Sequence, residues 1–87
     1  MAEETLKLRI VTPRAVVFEG KALSISSTNS KGKFDILPKH ANFITIVEQK
    51  PIIIRVEGRK RLTFNFPVAI ISNVRNQVNI YTDISLK

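Results

Sequence analysis

No cysteine occurs anywhere in this chain, which rules out a disulfide framework and any thiolate-held metal site. Only three glycines are present, Gly20, Gly32 and Gly58, and they lie far apart. No G-x-x-x-x-G-K-[ST] loop therefore exists to cradle nucleotide phosphates. The single histidine, His40, has Asp35 as its acidic neighbour, and the pair falls short of the roughly three or four ligands that zinc requires. No metal, cofactor or small-molecule substrate is expected. Long apolar runs are also missing, and nothing approaches the roughly 20 residues that cross a bilayer as a helix. The opening residues MAEETLKLRI lack the basic and apolar regions of a signal peptide, so a cytoplasmic protein is expected. Acidic residues are scarce, seven Asp and Glu against fourteen Lys and Arg, leaving a formal charge of +7. On charge alone that excess suits nucleic acid, an anionic membrane surface or an acidic protein.

What the chain does contain is alternation. Leu6, Leu8 and Ile10 alternate with Lys7 and Arg9, and Leu23 and Ile25 with Ser24 and Ser26. The same period returns in Ile52, Ile54 and Val56, in Leu62, Phe64 and Phe66, and in Val78 and Ile80. A period of two is that of half-buried strands, and no segment keeps a 3.6-residue period over helical length. Short breaks fall at residues 12–14 (TPR), 19–21 (EGK), 28–33 (TNSKGK), 57–60 (EGRK) and 73–77 (NVRNQ). Eighty-seven residues organised in this way make one all-β domain, with a core that buries only about 60% of the unfolded chain's surface.

Ser24, Ser26, Asp35 and His40 supply the residue types of a catalytic triad within a short span. No glycine elbow or helix N-terminus accompanies them to expose a nucleophile or build an oxyanion hole, and serines alternating down a strand read as its solvent face. No catalytic residue is assigned. The alternative reading, a small basic β-domain that binds nucleic acid or another anionic partner, needs exposed aromatic rings for stacking. Phe34, Phe64 and Phe66 fall on the apolar phase of their strands, leaving Tyr81 and Phe43 as candidates, and no nucleic acid is expected.

The segments LRIVTPRAVVFEG, LSISSTNSKGKFDILPKHANFITI, KPIIIRV and VNIYTD, in that order, resemble the N-terminal β-sandwich domain of the epsilon subunit of rotary F-type ATP synthases, which is called delta in mitochondria. The most specific match is Gly32, Phe34, Ile36, Leu37, Pro38, His40 and Ala41, and the likeness covers residues 6–83. It implies a flattened sandwich of two antiparallel sheets with about ten short strands. It also implies a non-catalytic central-stalk subunit that docks the gamma subunit to the c-ring of a proton- or sodium-translocating synthase. Such a subunit helps transmit rotation and lies peripheral to the cytoplasmic face of the inner membrane. By the same resemblance Lys31, Lys33, Lys39 and His40 belong to the ring-facing loops, and His40 marks a contact loop.

The departures are equally specific. Phe66 and Pro67 stand where the family usually has Gly-Gly, Lys39 where it has glycine between Pro and His, and Asn42 where it has proline. Glycine readily takes a positive φ and proline is held near −65°, so a different backbone is expected at these places. The C-terminal helical hairpin of many relatives is expected to be absent, with residues 1–87 forming a single domain.

Overall fold

The computed structural model describes residues 4–82, and Asp83, at the end of the last matching segment, lies outside them. Nine strands are present among the described residues: β1 (Leu6–Val11), β2 (Val16–Ala22), β3 (Ser24–Asn29), β4 (Gly32–Ile36), β5 (Phe43–Glu48), β6 (Pro51–Val56), β7 (Lys60–Asn65), β8 (Val68–Val74) and β9 (Gln77–Thr82). They form a five-stranded sheet in the order β2-β1-β9-β8-β5 and a four-stranded sheet in the order β4-β3-β6-β7. The strands tally with the expected sandwich. One pairing departs from the expected antiparallel pattern, because β1 and β9 run parallel in register Leu8↔Val78 and Ile10↔Ile80. The first and last strands start from the same end of the sheet, so they can lie side by side only in parallel.

The alternating apolar residues face inward as their period demands. Leu6, Leu8 and Ile10 of β1 meet Ile52 and Ile54 of β6, with Ile71, Val78 and Ile80 beside them, all essentially without solvent contact. Each such side chain contributes about 1.5–3 kcal/mol by burial, which is what holds the two sheets together. Phenylalanines close the open sides. Phe18 meets Phe64 edge-on at 6.1 Å and Phe66 stacks on Phe64 at 5.9 Å, while Phe34 and Phe43 pair at 5.4 Å on the other side.

Two sequence expectations are corrected here. Residues 19–21 are not a break but the middle of β2, paired with β1 as Arg9↔Glu19 and Leu8↔Gly20. A Cβ at Gly20 would meet the Phe18 ring at 3.3 Å, a tight contact that glycine avoids. Nor do the alternating serines of β3 form an open solvent face: on the outer side of this interior strand, flanked by β4 and β6, Ser24 is buried and Ser26 half-buried. Ser27, of the other phase, is buried as well, its Oγ donating to the Pro51 carbonyl at 2.9 Å.

Candidate partner-binding surfaces

Leu37–Pro38–Lys39–His40 form a turn closed by the His40 N–H donating to the Leu37 carbonyl at 3.0 Å. Proline at the second position and a positive φ at the third are the marks of a type II turn. Lys39 occupies that third position with φ 68°, so the backbone takes the glycine-like region although the side chain is lysine. The turn therefore carries the strain of a non-glycine residue in the left-handed region. The β8–β9 hairpin holds the loop in place. Lys39 N–H donates to Asn76 Oδ1 at 2.6 Å, Arg75 N–H to Asn42 Oδ1 at 3.1 Å, and Asn73 Nδ2 to the carbonyls of Ala41 at 3.2 Å and His40 at 3.4 Å. Asn42, in the family's proline position, thus satisfies a backbone donor of the neighbouring hairpin. Phe66 and Pro67 form the β7–β8 connection without positive φ, and the Pro67 carbonyl accepts the Gln49 N–H at 3.0 Å.

His40 is exposed, its ring edge-on to Phe43 at 5.7 Å, with Nδ1 2.8 Å from the Ala41 carbonyl. A nitrogen facing a carbonyl must carry the proton, which leaves Nε2 as the acceptor of the neutral ring. No triad assembles from Ser24, Ser26, Asp35 and His40, since Ser24 is buried and Ser26 Oγ donates to Asp35 Oδ1. Phe43, one of the stacking candidates, packs between Phe34 and His40, while Tyr81 is exposed.

The four predicted loop residues do not form one cluster. Lys31 sits in the Ser30–Lys31 turn before β4, where its N–H is held by Asn29 Oδ1 at 2.8 Å, and Lys33 follows on β4 opposite Thr28. Lys39 and His40 come after the far end of that strand, about 13–17 Å away along its length. Lys39 is also no free cation, because its Nζ lies 3.1 Å from Glu4 Oε1.

A second surface was not foreseen. On the outer face of the five-stranded sheet, the registers place Ile46 opposite Ile70, Ile70 opposite Tyr81, Tyr81 opposite Val11 and Val11 opposite Val16. One apolar row therefore crosses all five strands, about 19 Å wide. Ile46, Val16 and Tyr81 are exposed by 54%, 48% and 42%, and Ile44 beside them by 71%. Two open grooves of about 680 and 490 Å³ lie along the row and share Ile70. The next row sets Ile44 beside Ser72, Asn79 and the Arg9–Glu19 ion pair at 3.3 Å, and the one after sets exposed Val74 beside Gln77, Lys7 and Lys21. The sequence carried a signal for this surface, because β8 (VAIISNV) is apolar in both phases, as expected for a strand covered on both faces.

Residues 5–86 match the family of the ATP synthase delta/epsilon chain β-sandwich domain. The chain belongs to that family. An ATP synthase epsilon chain of Nitratiruptor sp. is 41% identical over 54 residues, which are 62% of this chain and 40% of that relative. The Helicobacter pylori (strain 26695) epsilon chain is 32% identical over 79 residues, 90% of this chain and 63% of that one. The matched regions thus span between 40% and 63% of these epsilon chains, less than two thirds in each. Among solved structures, a chain in the Euglena gracilis mitochondrial ATP synthase OSCP/F1/c-ring structure superposes with a TM-score of 0.81 at 15% identity, covering 90% of this chain and 50% of its own length. One from the Tetrahymena thermophila mitochondrial ATP synthase central stalk and c-ring gives 0.74 at 13% identity, covering 94% and 66%. These two likenesses show a shared fold.

Proposed function

We propose that this domain is a non-catalytic coupling element of an F-type ATP synthase central stalk. It docks the gamma subunit to the c-ring at the cytoplasmic face of the membrane and helps transmit rotation. The observation that carries the reading is the in-register apolar row on a domain of the delta/epsilon family. Exposed apolar rows bordered by polar ones are the usual form of a protein-binding surface, with burial at the centre and charge at the rim. The row is assigned to the gamma subunit. Lys31, Lys33, Lys39 and His40 are assigned to the c-ring as two separate contacts, the hairpin turn with β4 and the type II turn.

Ile46→Asp/Tyr81→Asp tests the row, because both side chains are exposed and can be changed without touching the core. Binding to purified gamma subunit is expected to weaken about a hundredfold, the effect of setting charge into an apolar contact centre, with the unfolding midpoint unchanged. Unaltered affinity would remove the row from the interface.

A further inference from the structure

The outer face of the other sheet carries charges that the stalk reading leaves unused. Arg55 on β6 and Arg61 on β7 are direct cross-strand partners, both exposed, and Ser24 on β3 lies opposite Arg55 on its other side. Like charges set opposite one another destabilise an antiparallel pair. Among the described residues neither arginine has a carboxylate at ion-pair distance, the bridges being Arg9–Glu19 and Lys39–Glu4. The hairpin tip adds exposed Arg59, and Glu57 is the only acidic residue between 55 and 61, while Lys60, opposite core-packed Val56, belongs to the other phase of β7. Strands β6 and β7 carry none of the large exposed apolar residues, so this face is not an apolar dock. Nor does it offer a platform for bases, since Phe64 and Phe66 pack against the core.

We propose that this face binds an acidic protein segment, a helix whose carboxylates recur at i and i+4. Opposed residues on neighbouring strands have Cβ atoms about 4.5–5.5 Å apart, and side chains one helical turn apart have a Cβ spacing of about 5–6 Å. Each guanidinium can therefore take one carboxylate through two parallel hydrogen bonds, with Arg59 at the hairpin tip adding positive charge nearby. The cations of β6, β7 and their hairpin tip that share this face, Arg55, Arg59 and Arg61, are all arginine, whose planar fork matches discrete oxyanions, whereas a lipid surface attracts lysine and arginine alike. The proposal is independent of the stalk reading, because these residues lie on the opposite sheet from the Ile46–Val16 row and stay open when that row is covered.

The probe is a labelled helical peptide with glutamate at every i, i+4 position of one face, titrated with the 87-residue chain at low and high salt. Arg55→Gln/Arg61→Gln is expected to weaken binding about tenfold or more, and Arg55→Lys/Arg61→Lys by a smaller but clear factor. Lys7→Gln/Lys21→Gln, on the opposite sheet, should change it less than about twofold. The glutamine pair should also raise the unfolding midpoint, since it removes a like-charge repulsion; a merely structural pair would lower it. The proposal is overturned by equal affinities across the variants, or by a lysine pair that binds as tightly as the wild type. It is equally overturned if phosphatidylglycerol vesicles or polyuridine bind more tightly than the peptide and lose that binding in the glutamine pair.

Discussion

Lys39 gives the sharpest test of how this family's loop is held, because it occupies a glycine-favouring position with φ 68°. An L-residue in the left-handed region costs about 1–2 kcal/mol relative to its ordinary conformations. Replacing lysine by glycine relieves that strain but also frees the unfolded chain, which offsets about 0.4–1 kcal/mol. It further breaks the exposed Lys39–Glu4 pair, worth about 0–1 kcal/mol. Comparing Lys39→Gly with Lys39→Ala removes the ion pair from the comparison, since both variants lose it. Both also keep the main-chain bonds to Asn76 and Leu37. The glycine variant is then expected to exceed the alanine variant by about 0.5–1 kcal/mol. At an extended position the order is reversed. In a domain of 87 residues the difference is a shift of about 2–8 °C, readable by thermal unfolding followed by circular dichroism. An alanine variant as stable as the glycine variant would refute both the strain and the turn geometry.

Asn73 is fully buried, and its Oδ1 has no hydrogen-bond partner among the described residues while Nδ2 holds the His40 and Ala41 carbonyls. Asn73→Ala should cost about 1–2 kcal/mol in denaturant unfolding, and Asn73→Asp about 3–5 kcal/mol at neutral pH, because a buried carboxylate would face two carbonyls. Burial raises that carboxyl's folded pKa above its unfolded value of about 3.9, so the aspartate deficit should be smallest below about pH 4 and grow as pH rises towards the folded pKa. A pH-independent deficit would contradict the burial. Lys31→Glu/Lys33→Glu should weaken binding to the purified c-ring at low salt, with a deficit that shrinks as salt rises, because exposed charges are screened over about 8–10 Å. Equal low-salt affinities would remove these lysines from the contact.

The inward faces of β1, β6 and β9 were legible because alternation of apolar with charged residues has one stable solution in a half-buried strand. Gly20 misled because glycine marks turns more often than close approaches of an aromatic ring. Ser24 misled because burial of a hydroxyl depends on whether its strand is interior, a property of the whole sheet rather than of neighbouring residues. The loop residues were found by resemblance as a group, but their separation by the length of β4 is set by pairing. The apolar row was hidden for the same reason, since Ile46, Ile70, Tyr81 and Val11 become neighbours only once four strands are in register.

The parallel pairing of β1 with β9 has a consequence for synthesis. β1 is made first and needs β9, some 70 residues later, to cover its second edge. Closing that loop is the costliest entropic step the topology contains, and long-range pairing of this kind slows folding. Until residues 77–82 leave the ribosome, β1 and β8 both present bare edges lined with Leu8, Ile10 and Ile71, the sort of template on which strands of other chains add. Folding of the five-stranded sheet must therefore wait for β9 to emerge, and a nascent chain stalled before Ile80 should be a better chaperone client than the finished domain.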